Sequence, residues 1–194
     1  TGVTIPCGVG PMAFADCTGL EYVELHGSMM WAAFSNCTSL KEVILPEGLN
    51  YIDFDTFYNC TSLTEITIPG SVQSIDSNAF GGCTEVEQVV FNKVNDFAEW
   101  TAILFENAEA NPMAASGKAV LYDGESPLTV LRLTGASAPV GDYAFYRCQN
   151  EMTVEASADY PGPIGSYAFC QCEHLQAARF GAGVSEVGAY AFSG

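Results

Sequence analysis

Cys170-x-Cys172-x-His174 gathers two thiols and an imidazole within five residues, the kind of spacing from which a zinc site could be built. Zinc would need a fourth ligand and side chains that converge. Cys172 belongs to a repeated position, whereas Cys170 falls two residues earlier, where the corresponding residues are Ala15, Ser35, Tyr58, Gly81 and Tyr146. That variety marks a boundary position, so no metal is assigned. His26 and His174 are the two histidines, and neither has a nucleophile in a G-x-S-x-G context. No glycine-rich phosphate loop is present. Carboxylates are abundant, and a carboxylate-pair hydrolase is the distant alternative. The acids, however, follow a repeat (Glu42 and Glu65 share one position). No catalytic residue and no cofactor are assigned, and the chain is read as a non-enzyme.

The cysteines lead to the elements that position them. Residues 37–83 hold two consecutive blocks of one pattern, C-T-S-L-x-E-[VI]-x-[LI]-P, then an I-D pair, then a Phe three residues before the next Cys, with a period of 23. A fixed period of roughly 20–50 residues is the mark of a solenoid or array. Phe14, Phe34, Phe57, Phe80, Phe145 and Phe169 each stand three residues before a Cys, and Phe192 continues the series. The Cys at 17, 37, 60, 83, 148 and 172 should therefore form an inward column of free thiols, because stacked side chains point in parallel and buried Cys packs as a small hydrophobe. A disulfide framework is the alternative reading of eight Cys. Cys7 and Cys170 stand outside the column and are the thiols expected to react. Asn36-Cys37-Thr38 and Asn59-Cys60-Thr61 match the glycosylation sequon, but each Asn arises from the repeat itself.

Each block predicts a strand, at 20–25, 40–45, 63–68, 86–91, 128–133, 152–156 and 175–180, most reading L-x-x-[VI]-x-[LI] with the first, fourth and sixth positions inward. Pro-Gly turns follow, then a short apolar piece and an A-F-x-x-C corner with tight helical character. Stacked coils would pair their strands in a parallel sheet, about 4.8 Å per rung. At the block that starts from Cys148, Glu151 replaces the inward Leu and Met152 takes over its burial, while Asp159-Tyr160-Pro161-Gly162-Pro163 replaces the usual turn.

The residues Cys60-Thr61-Ser62-Leu63-Thr64-Glu65-Ile66-Thr67-Ile68-Pro69, with Val72, Ile75, Ala79-Phe80 and Cys83, resemble the leucine-rich repeats of the BspA-like family. The resemblance covers nearly the whole chain. It implies a leucine-rich-repeat solenoid, mostly β, with a parallel sheet on one face, short 3-10 turns and one hairpin-containing insert. It also implies a protein that is secreted or at the cell surface of host-associated bacteria or protists, with an adhesive, non-catalytic role toward a host or matrix protein.

Residues 92–127 break the pattern, since Cys83 to Cys148 spans 65 residues, 19 more than two periods. Two repeat blocks, 1–91 and 128–194, are expected to flank this insert within one solenoid. Asp123-Gly124 signals a hairpin, with 119–122 predicted to pair antiparallel with 128–133. A short helix covering the core is predicted over 97–106.

The formal net charge is −17, from 23 acids against 6 bases. That argues against nucleic acid as partner, since phosphate binding needs Lys and Arg. No run approaches the ~18 apolar residues that span a bilayer, and no basic-then-apolar leader is visible. Val3-Thr4-Ile5-Pro6 aligns with Ile66-Thr67-Ile68-Pro69, so the chain starts inside a block and is expected to be a piece of a longer array. A monomer is expected. The candidate ligand-binding residues are those predicted to face outward from the strands: Tyr22, Glu24, Glu42, Ile44, Glu65, Thr67, Gln88, Val90, Arg132 and Arg179. The early rungs are acidic and suit a positively charged ligand, while the later ones carry the two arginines. A purely structural spacer holding other domains is the alternative function.

Overall fold

The computed structural model describes residues 1–92 and 97–194, with the side chains of residues 97 and 98 left aside. The chain is a mostly-β solenoid of about eight turns. In chain order the strands are β1 (Gly2–Ile5), β2 (Tyr22–Leu25), β3 (Glu42–Ile44), β4 (Tyr51–Ile52), β5 (Glu65–Pro69), β6 (Ser74–Ile75), β7 (Gln88–Asn92), β8 (Leu104–Phe105), β9 (Val120–Asp123), β10 (Ser126–Pro127), β11 (Val130–Leu133), β12 (Thr153–Ala156) and β13 (Ala177–Phe180). The main rungs pair parallel as β1-β2-β3, β5-β7-β9 and β11-β12-β13, and a second, smaller parallel sheet runs β4-β6-β8. The N–H of Thr64 donates to the carbonyl of Lys41 (3.4 Å), carrying the stack from β3 to β5.

Alternation sets which side chains enter the core. Val23 and Leu25, Val43 and Leu45, Ile66 and Ile68, and Val89 and Phe91 are buried, while the residues between and before them face out. The strands begin about two residues later than predicted. Leu40 and Leu63 lie in the turn, their N–H groups donating to Cys37 (2.9 Å) and Cys60 (3.1 Å), yet both side chains are fully buried.

The A-F-x-x-C corner explains its own composition. Two residues per coil adopt a left-handed backbone: the one two before the column Phe (Met12, Ala32, Asp55, Asn78, Tyr143, Tyr167, Tyr190) and the one just before the column Cys (Asp16, Asn36, Asn59, Arg147, Gln171). Asn and Asp tolerate that region better than most residues. The Asn side chains add a ladder of their own, Asn59 Nδ2 donating to Asn36 Oδ1 (3.0 Å) and Asn36 Nδ2 to Asp16 Oδ1 (2.9 Å). The repeated Asn-Cys-Thr is thus a demand of the coil.

Phe rings stack face to face along the column: Phe14 on Phe34 (5.4 Å between centroids), Phe34 on Phe57 (5.8 Å), Phe57 on Phe80 (5.4 Å), then Phe145 on Phe169 (4.8 Å) and Phe169 on Phe192 (5.1 Å). Beside them four of the column Cys donate their S–H to the carbonyl of the preceding coil's Phe: Cys37 to Phe14 (3.1 Å), Cys60 to Phe34 (3.3 Å), Cys83 to Phe57 (3.1 Å) and Cys172 to Phe145 (2.9 Å), while Cys148, after the insert, donates to Asn150 Oδ1 (2.9 Å). The cysteines are free, with Cys37, Cys60, Cys83 and Cys148 buried. The expectation for the reactive thiols needs correction. Cys7 is exposed as expected, but Cys170 is buried, and Cys17 is exposed although it belongs to the column. Side chains at the Cys170 position lie against the neighbouring coil; at the equivalent Gly81 an added Cβ would stand 3.1 Å from the Tyr58 ring. For Cys17, no column Phe carbonyl lies beneath it among the described residues.

The insert holds more regular structure than a single helix. A 3-10 helix spans Phe97–Ala102, and β8 follows, so the predicted helix ends early. Trp100 is fully buried and donates its indole N–H to the carbonyl of Ala144 (2.8 Å). The predicted hairpin turns at Asp123-Gly124, with Gly124 at φ +62°, but β9 pairs antiparallel with β10 and not with 128–133. The N–H of Leu128 donates to Leu121 (2.9 Å); the chain then reverses, and β11 runs parallel to β12. That reversal buries Leu131 and Leu133 in the shared core. Asn150, itself buried, ties β9 to the segment that leads into β11: it accepts from Leu121 N–H (2.7 Å) and donates to the carbonyls of Leu121 (2.7 Å) and Leu128 (2.9 Å). Met152 is buried and Glu151 exposed, as the sequence suggests. Tyr160 fills the irregular turn, accepting from Val140 N–H (3.0 Å) and donating to Pro163 (3.0 Å); Gly162 is needed there because an added Cβ would lie 2.6 Å from the Tyr160 hydroxyl.

Phe57→Ala is expected to cost about 3–5 kcal/mol in urea melts, as for other buried aromatic truncations; a loss below about 1 kcal/mol would contradict the stacked column. The thiols supply a second expectation. Burial pushes Cys37 up to about 11, and Cys83 and Cys148 up to about 12, from an unfolded value near 9. The unfolded thiols therefore ionise first. The stability they lend is full below pH 9 and is lost as pH rises from there towards about 12. The urea midpoint should fall above pH 9, and Cys83→Ala should make that fall shallower; an unchanged slope in the variant would refute the assignment.

Candidate functional site: the exposed strand face

Strand register lines the outward side chains into two columns. One runs Gly2, Tyr22, Glu42 and, beyond the β3–β5 step, Glu65, Gln88, Val120; the other runs Thr4, Glu24, Ile44 and then Thr67, Val90, Tyr122. Beyond the insert, Arg132, Glu155 and Arg179 share one column. All ten residues expected on this face stand at outward strand positions. Glu42, Ile44, Glu65, Gln88, Arg132 and Arg179 are exposed, and Tyr22, Glu24, Thr67 and Val90 are half-buried. They do not form one cluster, because the insert and its hairpin separate the arginines from the acidic rungs.

The N-terminal part is a polar network. Glu24 accepts from Thr4 Oγ1 (3.2 Å) and Tyr22 Oη (3.4 Å), and His26 Nε2 lies 3.3 Å from its carboxylate. Burial first, then the Glu24 and Glu42 carboxylates, push the Tyr22 phenol above its ordinary value. A groove of about 220 Å³ lies alongside, lined by Glu42, Ile44, Glu47, Glu65, Thr67 and Asn92 among others. Asn92 Nδ2 donates to Glu47 across it. Glu47 lies past β3 and Asn92 is the last residue of β7, beyond the predicted strand 86–91, so the sequence pattern does not flag them.

The C-terminal part has the opposite character. Arg132 Nε lies 3.6 Å from one oxygen of Glu155, and Arg179 Nη1 lies 3.9 Å from the other. Both guanidinium groups are more than two-thirds exposed, so these pairs contribute little to stability. A groove of about 380 Å³ runs along the strand ends here, with Arg132, Glu155, Arg179 and Phe180 in its lining.

Among the described residues no group of three or more His, Cys, Asp or Glu could hold a metal. Cys172 is committed to Phe145, Cys170 is buried and His174 is exposed, so the Cys-x-Cys-x-His segment does not converge. No helix of the described residues is long and apolar enough to cross a membrane. What the arrangement offers is an extended, largely solvated surface with a charge gradient, suited to contact over many rungs.

These features define a leucine-rich-repeat solenoid. The BspA type leucine rich repeat region matches in six copies over residues 8–110 and 122–194, and the chain belongs to that family. Its fold is similar to the crystal structure of a leucine rich repeat protein from T. pallidum, at 24% identity and TM-score 0.58, covering 90% of this chain and 77% of that one. A leucine rich cell surface protein from Faecalibacterium prausnitzii aligns at 23% identity and TM-score 0.42, over 95% of this chain and 62% of that one. A leucine-rich repeat protein from Bacteroides ovatus aligns at 16% and 0.35, over 98% and 72%. No curated protein matches the chain. Leucine-rich-repeat proteins of this family are in general non-catalytic.

Glu24→Gln should bring the Tyr22 phenol down towards its ordinary value in an ultraviolet titration, because one of the charges raising it is removed. An unmoved titration would show that Glu24 does not act on Tyr22.

Proposed function

We propose that the chain is a non-catalytic protein-binding module that contacts its ligand through the exposed strand face, within an adhesive protein that is secreted or held at the cell surface. The observation that carries the reading is the pair of outward columns: side chains exposed or half-buried on the outer side of the sheet, held in register from rung to rung by a buried core. Repeat proteins present extended surfaces of this kind to partners. The secreted or surface setting rests on membership of the BspA-type family. Glu42 and Glu65 on neighbouring rungs, with Glu47 at the groove, favour a ligand with basic groups at this end; Arg132 and Arg179 favour carboxylates at the other.

Charge reversal tests it. The double variant Glu42→Lys, Glu65→Lys should lose at least about tenfold in retention on immobilised solubilised basement-membrane matrix, with an unchanged urea melt. Retention equal to the unaltered chain, or none by either, would count against the reading.

A further inference from the structure

The second sheet stops short. β8 pairs with β6 on one side (Ser74 with Leu104, Ile75 with Phe105) and is the edge of the sheet β4-β6-β8. In the next coil the equivalent stretch does not continue it. Val140 bridges to Ile164, and Ile164 to Val187, while the N–H of Gly141 is drawn aside to the carbonyl of Thr101 (2.9 Å). Between the two runs lies a groove of about 590 Å³. One wall is Leu104, Phe105 and Glu106; the other includes Pro139, Val140 and Asp142. An edge strand is a template for another chain, and here that edge lies inside the solenoid, not at either end.

The walls describe the chain that would fit. Leu104 is 68% exposed, the most exposed of the large apolar residues among those described. Three carboxylates, Asp76, Glu106 and Asp142, border the space. Ser77 holds Glu106 through its N–H (2.8 Å) and hydroxyl (2.6 Å), and the N–H of Ser166 holds Asp142 (2.6 Å). Both acids are thereby fixed in place by neutral donors. Asp76 is crowded: burial, Glu106 and Asp53 all push its carboxyl up. Among the described residues no Lys or Arg is paired with any of the three; Lys41, Lys118, Arg132 and Arg179 pair with Glu21, Glu85, Glu87 and Glu155, and Arg147 donates to the carbonyl of Ala114.

We propose that this groove docks an extended basic segment of a partner protein, which adds as a strand to the free edge of β8, sets an apolar side chain on Leu104 and points Lys or Arg at Asp76, Glu106 and Asp142. Main-chain hydrogen bonds give such additions their affinity and alternate side chains their selectivity. The groove belongs to the second sheet, so this site stands or falls separately from the strand-face reading.

The test uses a fluorescein-labelled Lys-Val-Lys-Val-Lys-Val-Lys peptide and anisotropy at low ionic strength, with the whole chain. Asp76→Asn with Asp142→Asn should weaken binding about tenfold, the sum of two modest surface ion pairs. Glu125→Gln with Glu173→Gln removes the same charge elsewhere on the exposed surface and should change affinity less than twofold. The same peptide N-methylated at alternate bonds keeps its charge but loses its donors, and should not bind. Equal losses from the two double variants would reduce the effect to net charge and overturn the proposal. So would tight binding of the N-methylated peptide, or no binding of the unmodified one.

Discussion

The structure depends on one contact repeated from coil to coil: a Phe ring on the ring below, with a Cys S–H beside it reaching the carbonyl of that lower Phe. The ring contact fixes the spacing between coils, since offset aromatic pairs have a narrow range of favourable separations. The thiol adds a bond from the next coil to a carbonyl that already accepts the N–H of its own coil's Cys, as Phe34 does from Cys37 (3.2 Å). Neither group could be replaced by a generic hydrophobe without loss, because Leu lacks the flat face and Ala lacks the donor. Parallel strands, turns and the second short sheet all take their register from this column.

The column is interrupted once, between Phe80 and Phe145, and the interruption shapes the surface. There the core is filled by Trp100, Ala110 and Met113, and Asn150 binds the backbone of β9 and of Leu128, in the segment that leads into β11. A buried polar side chain that makes several hydrogen bonds specifies one arrangement where a purely apolar filler would tolerate several. The strand face is thereby divided into an acidic part and a part with arginines, and the second sheet is left with an edge inside the solenoid. The groove beside β8 thus lies where the repeat is least regular, whereas Glu42 and Glu65 stand on the regular coils.

Most of the architecture was legible in the residues because the repeat reports the same environment several times. Phe34, Phe57 and Phe80 each mark the same corner, and the Glu-x-x alternation of Glu42 and Glu65 already tells which side chains face out. Features seen once were harder. Asp123-Gly124 announced a hairpin but not its partner, because the second reversal that sends Val130–Leu133 parallel to Thr153–Ala156 is decided by burial of Leu131 and Leu133, a tertiary effect. Cys170 reads as exposed because its position varies in sequence, and exposure there does depend on the residue: Cys170 is buried, whereas the equivalent Tyr58 is exposed. Glu47, Asn92 and the groove beside Leu104 arise from contacts between coils, which no single block encodes.

The most direct test of the account is thiol labelling without reductant, comparing native with urea-unfolded protein and locating the label by mass spectrometry. Cys7 and Cys17 should label in the native state, Cys37, Cys60, Cys83 and Cys148 should be protected, and all eight should label once the chain is unfolded. Thiols that label only after reduction, or Cys60 labelling in the native protein as fast as Cys7, would contradict the buried column on which the register and both proposed surfaces rest.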